Sequence, residues 1–230
     1  MIDVNALAPG DLAALRQLGV EKALVSPLEP CLKKVSAERV AKLNAQVLKL
    51  AEKEDWLIPA AVAISGTSPE RLQMFGALRL CPAVHGYLLD SNWARKAVGL
   101  AEEADIPVLI QVRLGWDSAA YKRLGDVSSL AREYRYTPIV VSGLNYAETL
   151  AIAQNLVGQN NVYVEISHFQ PLDGLRLLVK LLGVGRILAG TGYPLLYPHS
   201  TMLKLEYSGL TRVEVEAIAW RNAATILKKL

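Results

Sequence analysis

Short, near-continuous runs of Val, Ile and Leu recur along the 230-residue chain with helix-period segments between them, and this alternation limits the folds available. Eight such runs are read: Ile2 to Leu7, Lys22 to Pro27, Leu57 to Ala63, Val84 to Leu89, Pro107 to Val112, Pro138 to Gly143, Val162 to Ser167 and Arg186 to Gly190. Runs such as Val108-Leu109-Ile110 and Ile139-Val140-Val141 are apolar at every position, as expected of parallel strands covered on both faces. Helix starts are marked by Ser36, by Ser68-Pro69-Glu70 and by the capping-box spacing of Thr211-Arg212-Val213-Glu214. A doubly wound open sheet would give similar alternation, but eight is the barrel number, so the expectation is a (β/α)8 barrel, one domain spanning residues 1–230.

Composition narrows the function classes. Hydrophobic residues make up 52% and charged residues 20%, which fits a globular chain. The net charge is +3, and no basic run with interleaved aromatics appears; Lys33-Lys34 and Lys228-Lys229 are too short, so nucleic acid is not an expected partner. No apolar stretch reaches the roughly 18 residues of a membrane span, and no secretory leader is read. Cys31 and Cys81 lack CxxC spacing and are expected as buried small residues in a reducing cytoplasm.

The C-terminal third has its own grammar: Asn161-Val162-Tyr163-Val164-Glu165, then Arg186-Ile187-Leu188-Ala189-Gly190-Thr191-Gly192-Tyr193-Pro194, then Arg221-Asn222-Ala223-Ala224. In that order these motifs resemble the amidohydrolase-related family, whose members close with an Arg-hydrophobic-Gly-Thr/Ser-Asp-Tyr-Pro segment and an Asn-Ala pair in the last helix. Ile2-Asp3-Val4-Asn5-Ala6-Leu7, Pro107 to Gln111 and Ile139 to Ser142 resemble the family's first, fifth and sixth strands, so the likeness covers nearly the whole chain. The resemblance implies a zinc or other divalent ion held by a His-x-His pair, further histidines and an aspartate. Here those positions carry Asn5 and Leu7, Gln111, Ser142 and Gly192, and the chain has three histidines in all. A catalytic metal needs several imidazole or carboxylate ligands around one point. The expectation is therefore no metal and no cofactor.

Barrel chemistry belongs at the C-terminal strand ends, where Asn5, Ser26, His85, Gln111, Arg113, Ser142, Glu165, His168, Thr191 and Tyr193 are the polar candidates. Glu165 and His168 lie close on the seventh strand and its loop and could act as acid and base. Glu165 could equally pair with Arg113, and His168 could cap its loop. A metal site of His85, Glu165 and His168 lacks ligand spacing. Gly190-Thr191-Gly192 could cradle phosphate or make a tight turn. No strand ends in lysine, as a Schiff-base enzyme would need, and no G-x-S-x-G elbow occurs. Trp56, Trp93 and Trp220 read as core helix positions, His199 as solvated, and Trp116 as a loop residue able to shape a pocket.

Two readings stand. One is a hydrolase or lyase acting on a small polar or carboxylated substrate, with Glu165 and His168 catalytic, Arg113 as anion clamp, and Asn5, Gln111, Ser142, Thr191 and Tyr193 binding substrate. The other, which the altered ligand positions favour, is an amidohydrolase-like barrel that binds a small molecule or serves as a scaffold, in the cytoplasm and as a homodimer.

Overall fold

The computed structural model describes residues 1–67, 71–114, 120, 121, 123–171 and 173–227. Its eight strands are β1 (Ile2–Ala8), β2 (Lys22–Pro27), β3 (Leu57–Ala63), β4 (Ala77–Leu80), β5 (Val108–Gln111), β6 (Ile139–Ser142), β7 (Val162–Glu165) and β8 (Ile187–Leu188). They pair in chain order, every ladder parallel. Three backbone bonds then join β1 to the segment after β8: Val4 N–H to the Ala189 carbonyl at 3.0 Å, Gly192 N–H to Asn5 at 2.8 Å, and Leu7 N–H to Tyr193 at 2.9 Å. The architecture is a (β/α)8 barrel.

The helices are α1 (Ala13–Gln17), α2 (Glu29–Leu32), α3 (Ala37–Ala51), α4 (Pro82–His85), α5 (Asn92–Glu103), α6 (Leu124–Glu133), α7 (Thr149–Asn155), α8 (Gly174–Leu182), α9 (His199–Glu206), α10 (Arg212–Glu216) and α11 (Asn222–Ile226). Ser36 caps α3 by accepting the Arg39 N–H, and Thr211 with Glu214 forms the expected capping box at α10. Ser68-Pro69-Glu70, Trp116 and Lys228-Lys229 lie outside the described residues. Among the described residues no helix is long and apolar enough to cross a membrane.

The fourth strand differs from expectation. Val84 to Leu89 is not a strand: Pro82 opens the single turn of α4 and Gly86, at φ +70°, ends it in the left-handed region. The strand is Ala77-Leu78-Arg79-Leu80, whose apolar run is interrupted by an arginine that faces inward. His85 accordingly ends a helical turn and bonds the Pro30 carbonyl at 2.7 Å. Trp56 lies in the turn just before β3 and is not helical; it is buried under the Arg16 guanidinium, 5.4 Å from the ring centre.

The barrel interior is layered. At its base Ile2, Val4, Leu24, Ile58, Leu109 and Leu188 pack against Ala223 and Ile226 of α11, which close the bottom. At the C-terminal strand ends a second apolar cluster includes Leu7, Cys31, Val62, Cys81 and Leu114. Between them lies a layer of buried polar side chains.

Candidate functional site

The polar layer is built around Arg79, whose side chain is fully buried. Its Nε donates to Ser26 Oγ at 2.8 Å, Nη1 to Gln111 Oε1 at 3.0 Å and Nη2 to Asn5 Oδ1 at 3.0 Å. The planar fork thus ties β1, β2 and β5 to β4. Gln111 Nε2 donates onward to the Cys31 carbonyl at 3.1 Å, and Asn5 Nδ2 to Glu165 Oε2 at 3.0 Å. Asn5 therefore stands between the guanidinium and the carboxyl, with its oxygen towards the cation and its amide towards the acid.

Glu165 continues into Ser167 and His168. Ser167 lies within hydrogen-bond reach of Glu165 Oε2 (3.0 Å) and of His168 Nδ1 (3.0 Å), and its N–H donates to Glu165 Oε1. His168 Nε2 faces the Leu114 carbonyl at 2.7 Å; a carbonyl only accepts, so the ring proton sits on Nε2 and Nδ1 accepts from Ser167. Burial pushes the Glu165 carboxyl up to about 7, the neighbouring Asp3 charge adding to it while the Ser167 bonds and Lys204 oppose it. Burial lowers His168, keeping the ring neutral. Lys204 on α9 donates to the carbonyls of Ile166 (2.8 Å) and Ser167 (2.7 Å), and burial brings its ammonium down to about 8.

The turn after β8 is occupied by the protein itself. Asp3 accepts the Thr191 N–H at 2.9 Å and its hydroxyl at 2.5 Å, and Tyr193 N–H donates to Thr191 Oγ1 at 3.1 Å. With Gly192 N–H given to Asn5, these donors are not free to cradle phosphate. Gly192 has φ +68°, and a side chain on Gly190 would run into the Glu165 carboxyl, so the glycines serve the turn and its packing. Replacing Thr191 by Val keeps the shape but removes a donor to a buried carboxylate and the acceptor of Tyr193. Urea unfolding is expected to show a loss of about 1–3 kcal/mol, with Thr191→Ser much closer to wild type.

The remaining candidates fall in different places. Arg113 does not meet Glu165; its guanidinium forms a two-pronged pair with Glu148 at 2.8 and 3.2 Å. The Ser142 hydroxyl is buried at the end of β6 with no hydrogen-bond partner among the described residues. The Tyr193 ring packs against the outer cluster of Leu12 and Leu15, and exposed His199 stacks on Tyr197 with ring centres 4.6 Å apart. A depression of about 650 Å³ opens beside Lys204, between α8 and α9, lined by Phe169, Gly174, Ser200, Leu203 and Tyr207. Arg79, Asp3, Ser167 and Lys204 are the site residues that sequence reasoning missed. A charge inside an otherwise apolar strand, as in Ala-Leu-Arg-Leu and Ile-Asp-Val, was the available signal for the first two.

No protein-family model matches the sequence, and no curated protein sequence does so. Solved structures do match in fold. A structure described as amidohydrolase II superposes with a TM-score of 0.75 at 15% identity, covering 98% of this chain and 99% of that one. The 2,6-dihydroxybenzoate decarboxylase from Rhizobium gives 0.74 at 14% identity, covering 99% and 97%. The dihydroxybenzoic acid decarboxylase from Polaromonas sp. JS666, with bound manganese and the inhibitor 2-nitroresorcinol, gives 0.71 at 12% identity, covering 96% and 86%. The neighbours are amidohydrolase-type barrels, and what this chain shares with them at these identities is the fold.

The manganese in the Polaromonas enzyme corrects one expectation: barrels of this fold have been solved with a bound divalent metal, so an assignment of no cofactor does not follow. The donor set here is a separate matter. Among the described residues no group of three or more His, Cys, Asp or Glu could hold a metal ion, so His85, Glu165 and His168 do not form one. In the polar layer the amide and hydroxyl oxygens of Asn5, Gln111 and Ser26 already face a guanidinium. These residues do not fit the family's ion at that level of the barrel.

Proposed function

We propose, on the premise of the amidohydrolase-type barrel fold that this chain shares with its solved neighbours, that it is a binding or scaffold member of that fold, its interior polar layer holding the barrel together. One observation carries the reading: Arg79, Asn5, Gln111 and Glu165 satisfy one another, each at most 1% exposed, beneath the apolar cluster of Leu7, Cys31, Val62, Cys81 and Leu114. A substrate reaching this layer would have to break those bonds and part that cluster. The ligand of such a member is a small molecule, and the depression beside Lys204 is its place. The chain acts as one domain, pairs as a symmetric homodimer and works in a reducing cytoplasm.

A second reading has its own support. A carboxyl near 7, relayed through Ser167 to a neutral histidine, with the buried Ser142 hydroxyl, unpartnered among the described residues, in the same interior, is an acid–base arrangement suited to a hydrolase or lyase acting on a small carboxylated molecule. Glu165 and His168 would then be catalytic, with Asn5, Gln111, Ser142, Thr191 and Tyr193 bordering the substrate and Arg113 beside them.

One experiment separates the two. The full-length protein, supplied with manganese or zinc, is assayed for carbon dioxide release from a panel of hydroxybenzoates and for hydrolysis of amides and esters, beside Glu165→Gln. The expected result is no turnover above that variant, with Glu165→Gln altered in stability. Turnover abolished by Glu165→Gln at an unchanged melting temperature would overturn the scaffold reading and establish the second.

A further inference from the structure

We propose that Cys31 and Cys81 are a modification site: an intramolecular disulfide forms between them when the protein meets a peroxide, and it locks the apolar cluster at the barrel mouth.

Both thiols are free, and both are fully buried. Cys81 is the first residue after β4, and Cys31 lies in the single turn of α2 that follows β2. The Cys81 thiol points at Cys31 Sγ across 3.7 Å, while the Cys31 thiol donates to the Pro27 carbonyl at 3.2 Å. To bond at about 2.05 Å the sulfurs must close by about 1.7 Å, and the packing around them is with side chains such as Leu7, Val62 and Leu114, which carry no polar bond to break. The link would join loops 50 residues apart in sequence. It would also fix the Cys31 carbonyl, which holds Gln111 and through it Arg79.

The two sulfurs are not equivalent. Burial alone raises the Cys31 thiol, but the hydrogen bond from Cys81 and the Arg79 charge outweigh it and bring Cys31 below the usual thiol value. Burial and the Cys31 charge push Cys81 well up. The Cys81 S–H, aimed at Cys31 Sγ, makes Cys31 the nucleophile and Cys81 the resolving thiol. The Cys31 thiolate attacks one peroxide oxygen; the O–O bond breaks, and the other oxygen leaves as hydroxide, becoming water with the proton Cys31 gave up. Cys81 sulfur then attacks the resulting sulfenic acid, the S–S bond forms, and the hydroxyl leaves as a second water with the Cys81 proton. Two thiols and one hydrogen peroxide yield one disulfide and two waters.

The test treats the folded full-length protein with hydrogen peroxide and maps its peptides without reduction. The expected result is a Cys31–Cys81 linked peptide, a melting temperature higher by roughly 5–15 °C, and reversal of both by dithiothreitol. Cys31→Ala and Cys81→Ala should lack the peroxide-dependent rise; if either fails to fold, the peptide map of the wild type still decides. Thiols that remain alkylatable after unfolding, disulfides that join only separate chains, or a linked peptide that appears only once the protein has been unfolded would each overturn the proposal.

Discussion

Replacing Arg79 by Met is expected to destabilise the protein by about 3–5 kcal/mol in urea unfolding. The thioether fills much of the space of the arginine stem but satisfies none of its partners. Ser26 Oγ, Gln111 Oε1 and Asn5 Oδ1 would each lose a charge-assisted donor in a layer closed to water. Orphaning a buried acceptor costs about 1–3 kcal/mol, so three of them account for the expected loss even after the guanidinium's own desolvation is relieved. Asp3, which the Arg79 charge helps to keep ionised, would be raised further in the variant. Arg79→Lys should recover only part of the stability, because one ammonium cannot reach three acceptors on three strands.

The second large effect is a dependence of stability on pH with an uncommon sign. The Glu165 carboxyl titrates near 7 in the folded chain against an ordinary value of 4.5. Between those values the folded chain holds a proton that the unfolded chain has released, so stability is greatest below the window and falls as pH rises through it. The fully buried group contributes a fall of about 3 kcal/mol. Burial also raises Asp3, which adds to the fall in the acid range. Lys204 acts oppositely: its folded value is about 8 against 10.5, so between those values the unfolded chain binds the extra proton and stability climbs with pH. Together the two groups predict a stability minimum between about pH 7 and about pH 8. Glu165→Gln should remove most of the fall between about pH 5 and about pH 7.5 while leaving the alkaline rise, as read from urea midpoints across a pH series.

Much of the barrel was legible in its residues, for a physical reason. Parallel strands covered on both sides need uninterrupted apolar runs, and Val108 to Gln111 and Ile139 to Ser142 announce themselves in that way. The fourth strand was hidden because its inward position is Arg79, and a charge in Ala-Leu-Arg-Leu breaks the pattern that marks a buried strand. Val84 to Leu89 has the right residues and the wrong backbone, since Pro82 and Gly86 enclose a helical turn. Missing β4 removed the centre of the polar layer from view, and with it the reason Asn5, Gln111 and Glu165 stand together. Strand order supplies that reason, because it sets β4 beside β5 and brings β1 round to β8. Arg113 illustrates the limit from the other side. It lies just past β5, but its charge is taken by Glu148, which also caps the turn at Asn145. Nothing in the spacing of Arg113 alone distinguishes that partner from Glu165.

A double-mutant cycle on Arg79→Met and Glu165→Gln, by urea unfolding at about pH 8, where Glu165 is ionised, tests whether the interior polar layer is a structural network. The two side chains share Asn5 as a bonded intermediary, so the double variant should lose less stability than the sum of the single variants, by about 1–3 kcal/mol. Losses that add to within about 0.5 kcal/mol would mean that the guanidinium and the carboxyl act independently, and the structural account of the layer would be contradicted.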